Sequence, residues 1–345
     1  MVSVLIVSLL VGIGAMDFEL GYFWHLTKGQ MSLLWRAKPI SRVLKDKDLD
    51  PQIRKRLEIF EGIRQFAKDE IGLAASRNYT TYVDIGRGPV SWNLVVCAKD
   101  QLTPKRWTYP VVGTVPYRGY FHQAEAEAER DRYEAEGYDT YLRPVSAYST
   151  LGWFPDPILS TMLRYDEADL ADLVIHELTH ATLWIEGDVT FNESLASFVG
   201  EAGALIWLEK KYGKDAPVVL EVRDARADAV VFRLFMHEIA TQLDSLYQSD
   251  LDRETKIIRR QAVFEGAKET YFTLPLRTNL YDGFPQWELN NARMALYRVY
   301  RARTDIFQRV YEAVEERLPN AIAVFKKCET ARDPAGFLQD WLAAQ

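Results

Sequence analysis

From about residue 155 onward the chain reads as helix almost without interruption, while the stretch from Tyr79 to Val145 is rich in strand formers. That division points to an α+β chain, with a mixed, β-containing N-terminal lobe over about 16–155 and a mainly helical lobe over about 156–345. The periodicity predicts long helices over Asp166–Trp184, Thr190–Tyr212, Pro217–Tyr247 and Leu251–Tyr271, with more from Trp287. Before them, Tyr79–Val83, the Trp92/Leu94/Val96 alternation, Trp107–Val115 and Tyr138–Val145 read as strands. An Ala/Glu/Arg-rich helix, Gln123–Glu136, stops at Gly137. Asp50-Pro51 opens a further helix whose apolar positions run from Ile53 to Ile71, with Asp50 suited to the cap and Pro51 to the first turn.

Inside the first long helix lies His176-Glu177-Leu178-Thr179-His180. Helical spacing puts the two imidazoles on one face, one turn apart, with a carboxylate beside the first. Two neutral nitrogen donors and an adjacent general base are what a catalytic zinc requires. A bare HExxH is a modest signal, so its surroundings must decide. Apolar residues flank it on both sides, and Asp166, Glu167 and Asp169 load the first turn with the negative charge that a helix start favours.

Catalytic zinc takes three protein ligands and leaves one position open. Twelve residues separate His180 from Glu193, which stands in the first turn of the next helix, where a short turn folds that helix back on the first. Small neighbours, Ser194, Ala196 and Ser197, permit close approach. Glu193 therefore ranks first as the third ligand, Glu201 second, and Glu186 and Asp188 in the turn last. His237-Glu238 starts a similar pair, but Thr241 replaces the second imidazole, which reads as an ordinary buried or paired histidine. His25 and His122 have no ligand-like spacing.

The net charge of −7 and pI near 5.5, without a basic stripe, argue against a nucleic-acid partner. Cys97 and Cys328 are isolated and form no CxxC site. Residues 2–15 (VSVLIVSLLVGIGA) carry no charge. This apolar segment reads as an export signal or anchor, making an exported protein, periplasmic or membrane-associated, the expectation. It is shorter than the roughly 20 residues of a spanning helix. The remainder, 16–345, reads as a single unit of two lobes.

HELTH followed by Asn192-Glu193 resembles the HExxH…NE pattern of the gluzincin metallopeptidases, which include thermolysin and the zinc aminopeptidases, although the insert here is shorter. A closer resemblance, along most of the chain, is to a bacterial family described as putative aminopeptidases. It is carried by Pro116–Phe121, Ala147–Phe154 with Asp156-Pro157, HELTHATLW, FNESLASFVG and Asn290–Arg293. That family tends to carry a cysteine pair around the PVVG stretch, where this chain has Tyr109 and Thr114, so such a disulfide is absent. The resemblance implies a zincin-like helical lobe and zinc-dependent hydrolysis of a peptide substrate, with Zn2+ on His176, His180 and Glu193 and Glu177 as base. It also implies a substrate-aligning edge strand near Ser146–Phe154. Tyr300 is the first candidate for the oxyanion donor and Tyr148 the second. Glu201 is one option for holding a substrate α-amine, and Asn290 and Asn291 could be site residues or helix caps. Endopeptidase action, and a zinc-binding or structural protein without turnover, stay open beside aminopeptidase action, as does a helical adaptor with a chance pentad.

Overall fold

The capping chemistry around Pro51 sets the first long helix. In the computed structural model, which describes residues 31–74, 78–86, 88–109, 113–145, 156–299 and 304–345, helix α1 spans Pro51–Phe66. The Asp50 carboxylate accepts from the Gln52 and Ile53 amides at 2.7 and 3.1 Å, satisfying donors the helix start leaves open. The helix widens into a π-turn, Ala67–Ile71, and stops at Gly72, whose φ of 83° suits glycine. Leu57, Phe60, Ile63 and Phe66 bury its inner face.

Three small sheets follow. Strand β2 (Thr81–Val83) lies between β1 (Lys38–Pro39), antiparallel to it, and β8 (Ile158–Leu159), parallel to it. Strands β4 (Trp107–Tyr109) and β5 (Gly113–Val115) pair with each other. In the third sheet β3 (Ser91–Cys97) runs between β6 (Arg118–Tyr120) and β7 (Asp139–Val145), antiparallel to both. One face of that sheet, Trp92, Leu94 and Val96, packs on helix α2 (Gln123–Ala135) through Ala126 and Tyr133. The opposite face, Val95, Cys97 and Tyr141, receives Ala292 and Ala295 of a later helix. The fold is thus mixed α+β, and it departs from the sequence reading in two places: the strand expected over Trp107–Val115 is the antiparallel pair β4 and β5, and β8 is strand in a region expected to be all helix. Two residues are too short to show alternation, and they are strand because β2 supplies their partner.

The helical part comprises α3 (Glu167–Thr182), α4 (Val189–Tyr212), α5 (Pro217–Gln248), α6 (Arg253–Tyr271), α7 (Asn291–Val299), α8 (Thr304–Ala313), α9 (Leu318–Phe325) and α10 (Pro334–Ala343). The main core joins α1, β2, β8, α3 and α4 to α8, α9 and α10. A second, aromatic cluster around Phe232, Phe264 and Phe284 fills the α5–α6 hairpin. Cys97 and Cys328 are both buried. Among the described residues no helix is long and apolar enough to cross a membrane.

A buried polar knot ties the second cluster to the sheet. Asp139 accepts from both terminal nitrogens of Arg260, at 2.5 and 3.1 Å, and from the Asn291 amide at 2.9 Å. The Asn291 side chain donates to the Ala98 and Gln101 carbonyls and accepts from the Tyr247 hydroxyl. Asn290 caps α7, accepting from the Arg293 amide, so both asparagines of that pair have structural work. Removing one member of a buried ion pair strands the other charge. Asp139→Ala should therefore cost about 3–5 kcal/mol in urea unfolding. A loss below about 1 kcal/mol would show that Arg260 is not held by this carboxylate.

Candidate metal centre

Helices α3 and α4 form an antiparallel hairpin pinned at both ends. Asp166 starts α3 by accepting from the Asp169 amide at 2.8 Å. At that far end, Glu167 receives Trp207 Nε1 and the Tyr212 hydroxyl at 2.8 Å and Lys211 Nζ at 2.6 Å, all from the last turns of α4. At the turn, Asp188 caps α4 by accepting from the Phe191 amide at 2.9 Å. Asn192, 1% exposed, accepts from the Ile185 amide at 2.9 Å and donates back to the Ile185 carbonyl at 2.7 Å. This side-chain zip satisfies buried backbone groups and fixes how α4 departs. Gly187, φ 83°, makes the bend. Between the pins the helices touch at Gly200 and Gly203. A Cβ on Gly203 would come within 2.8 Å of Ile175 Cδ1, so the contact accepts no larger side chain without movement.

Within this frame His176, His180 and Glu193 converge. The two Nε2 atoms are 3.1 Å apart. His176 Nε2 lies 3.6 Å from Glu193 Oε2, and His180 Nε2 lies 3.6 Å from Glu193 Oε1. Ligand atoms at about 2.0–2.2 Å from a tetrahedral ion stand about 3.3–3.5 Å from each other, so this triangle has the size a zinc-like ion needs. The donor types, two imidazole nitrogens and one carboxylate, suit such an ion, and the three residues could hold a metal.

The electrostatics of the three donors differ. Burial and the neighbouring His176 push His180 down to about 4, which keeps it neutral and able to donate a lone pair. Burial opposes the charged form of His176, yet the Glu193 contact and the Glu177, Glu193 and Asp172 charges hold it above its ordinary value. Burial works against the Glu193 anion, but His176, His180 and Arg143 keep its carboxyl below the usual range. Glu177, 9% exposed, is pushed up to about 7, chiefly by burial, with the charges of Glu193 and Asp156 acting the same way. Its Oε2 has no hydrogen-bond partner among the described residues.

Four contributors were not singled out from the sequence. Asp172 sits one turn before His176, so Asp172, His176 and His180 share a helix face; this spacing was readable. Its Oδ1 is buried without a partner among the described residues, and burial, with Glu201 adding, raises its carboxyl to about 7. Tyr79 bears on Glu177 by favouring its anion, and Asp156, 2% exposed, bears on it by charge. Arg143 of β7 bears on Glu193 in the same way. The last three come from distant segments; Asp156 belongs to the Asp156-Pro157 pair that carries the family resemblance, and no local pattern marks Tyr79 or Arg143.

The other candidates fall elsewhere. Glu201 is exposed and outside the donor triangle, Glu186 is exposed, and Asp188 is the α4 cap. His237 is exposed on the outer side of α5, correcting the expectation of a buried or paired residue. His25, Tyr148, Tyr300 and the stretch Ser146–Phe154 lie outside the described residues.

A family model described as Putative aminopeptidase matches residues 21–335. The chain belongs to this family. The match spans both the strand-rich part and the α3–α4 hairpin, so the candidate centre lies within the region that defines membership. No curated protein and no solved structure matches the chain.

Proposed function

We propose that this family member is a zinc-dependent peptidase that removes residues from the N-terminus of peptides. The observation that carries the reading is the triangle of His176, His180 and Glu193 with a buried carboxylate, Glu177, beside it and one oxygen of that carboxylate unpaired. Family membership supports peptide hydrolysis by aminopeptidase action.

A zinc ion held by these three residues would supply a water of pKa near 7 and polarise the scissile carbonyl. Glu177 then takes a proton from the water at Oε2 and delivers it to the leaving amine nitrogen. Its raised carboxyl, close to neutral pH, suits both halves of that transfer. Asp172 stands one turn behind His176, where it can fix the orientation of that ring. The peptide substrate is the only partner the reading requires. Residues 2–15 complete it as an export signal or anchor that puts the enzyme in the periplasm or on a membrane; fractionating cells that express the full chain and the chain from residue 16 tests this.

The test of the activity compares aminoacyl peptides with their N-acetylated forms, with and without a zinc chelator. Cleavage that requires a free N-terminus and disappears with the chelator is expected. Equal cleavage of acetylated peptides would make the enzyme an endopeptidase, and activity that survives full metal removal would overturn the reading.

A further inference from the structure

Strand β7 carries a row of side chains from one hydrophobic cluster toward the other. Alternation puts Asp139, Tyr141, Arg143 and Val145 on the sheet face opposite α2. Asp139 sits in the polar knot beside the second cluster. At the other end the Val145 carbonyl accepts from the Val90 amide at 2.8 Å, and Val90 belongs to the main core that α3 and α4 help to build. Arg143 therefore stands between the two clusters, and its charge acts on Glu193. Arg293 of α7 meets the same face one step back. Its guanidinium carbon lies over the Trp287 ring at 4.0 Å and over the Tyr141 ring at 4.8 Å. Residues two apart on a strand are about 7 Å apart, so the two arginines occupy adjacent positions on this face. Ring contacts of this kind hold a guanidinium in place without using its N–H donors. Nε of Arg293 is buried without a partner, and neither guanidinium makes a hydrogen bond or ion pair among the described residues. By contrast, Arg118 and Arg260 each have a carboxylate, at 3.4 and 2.5 Å.

We propose that Arg293 binds a carboxylate of the peptide substrate, with Arg143 adding a second positive charge beside it. The role rests on the reading of the metal centre as a peptidase site. A planar fork of N–H donors matches the two oxygens of a carboxylate. The rings of Trp287 and Tyr141 hold that fork before the ligand arrives, which lowers the ordering cost of binding. Two neighbouring cations also repel each other, and a bound anion relieves that repulsion while it satisfies the open donors. The peptide C-terminus and the side chain of an acidic residue present the same group.

The test uses a tripeptide amide ending in glutamine, the same tripeptide with a free C-terminus, and the amide with glutamate in place of glutamine. Parent kcat/KM should be about 10–100-fold higher for at least one acidic form than for the neutral amide. Whether the free C-terminus or the glutamate carries that preference names the source of the carboxylate. In Arg293→Met, which keeps an apolar stem against the two rings, the preference should fall to within about threefold, and Arg293→Lys should keep part of it. A ratio between substrates is unmoved by a general loss of activity. A second readout needs neither metal nor turnover: calorimetric titration of the chelated protein should rank the three peptides in the same order, and Arg293→Met should level them. Equal kcat/KM in an active parent, equal affinity in an inactive one, or a preference that Arg293→Met keeps, overturns the subsite. An inactive parent that still binds an acidic form more tightly, through Arg293, overturns instead the peptidase reading beneath it.

Discussion

Glu177→Gln should keep its zinc and lose turnover by about 10³-fold, the scale of a general-base contribution. Gln copies the shape of Glu, but it cannot take a proton from water. Because Glu177 is outside the donor triangle, metal content should match the parent. The substitution also has a sign in the metal-free protein. Burial raises the folded carboxyl from 4.5 to about 7. Folding therefore favours the protonated form, and the penalty for the anion is absent below about pH 4.5, grows between there and pH 7, and is complete above it. In the absence of metal the Gln form should be more stable than the parent at pH 8, by on the order of 3 kcal/mol, and equal to it at pH 4. Urea unfolding of both chelated proteins at the two pH values measures this. A parent-like kcat in the Gln form would remove Glu177 from the chemistry, and a pH-independent difference would remove the buried-charge explanation.

The second large effect concerns a residue that touches no substrate. At Gly200 a Cβ would lie 2.9 Å from the Asp172 carbonyl oxygen and 3.2 Å from His176 Cβ, and closer still to Asp172 Oδ1. Gly→Ala within a helix is otherwise favourable by about 1 kcal/mol. Here overpacking of about 1–3 kcal/mol opposes it, because the carbonyl oxygen belongs to the backbone of α3 and cannot rotate away. The helices must separate, and the clamps at Glu167 and Asn192 resist that separation. Gly200→Ala should lower stability by up to about 2 kcal/mol. It should also weaken zinc binding about tenfold, as His176 shifts relative to Glu193. Gly266, on α6, is the control: a methyl group there would meet nothing within 4 Å, and Ala should be neutral or stabilising. If Gly200→Ala is also stabilising and binds zinc normally, close contact between α3 and α4 is not what sets the site.

The histidine pair is legible because a helix converts a spacing of four into a shared face, and the apolar periodicity around residues 170–183 marks that helix clearly. Glu193 is legible one step further, through a turn too short to do anything but reverse the chain. What holds that turn is less apparent. Asn192 reads as part of an Asn-Glu pair, yet its work is to zip Ile185 to α4. Asp172 had a readable signal in its i−4 relation to His176. Asp156 was legible only as part of the Asp156-Pro157 pair in the family resemblance, and Tyr79 and Arg143 had no signal, because they reach the site through strand pairing and a left-handed backbone that depend on residues far along the chain. The same reason hides β8, whose two residues are strand only beside β2. His237 shows the reverse limit: its HE pair marks a helix but not which side of the helix faces out.

The central claim is a three-residue zinc site, and the zinc content of purified protein after dialysis tests it most directly. The parent should hold stoichiometric zinc, and His180→Ala and Glu193→Ala should each hold almost none while keeping the parent's helical content. Full zinc in either folded variant, or a folded parent that takes up no zinc when it is supplied, would contradict the account.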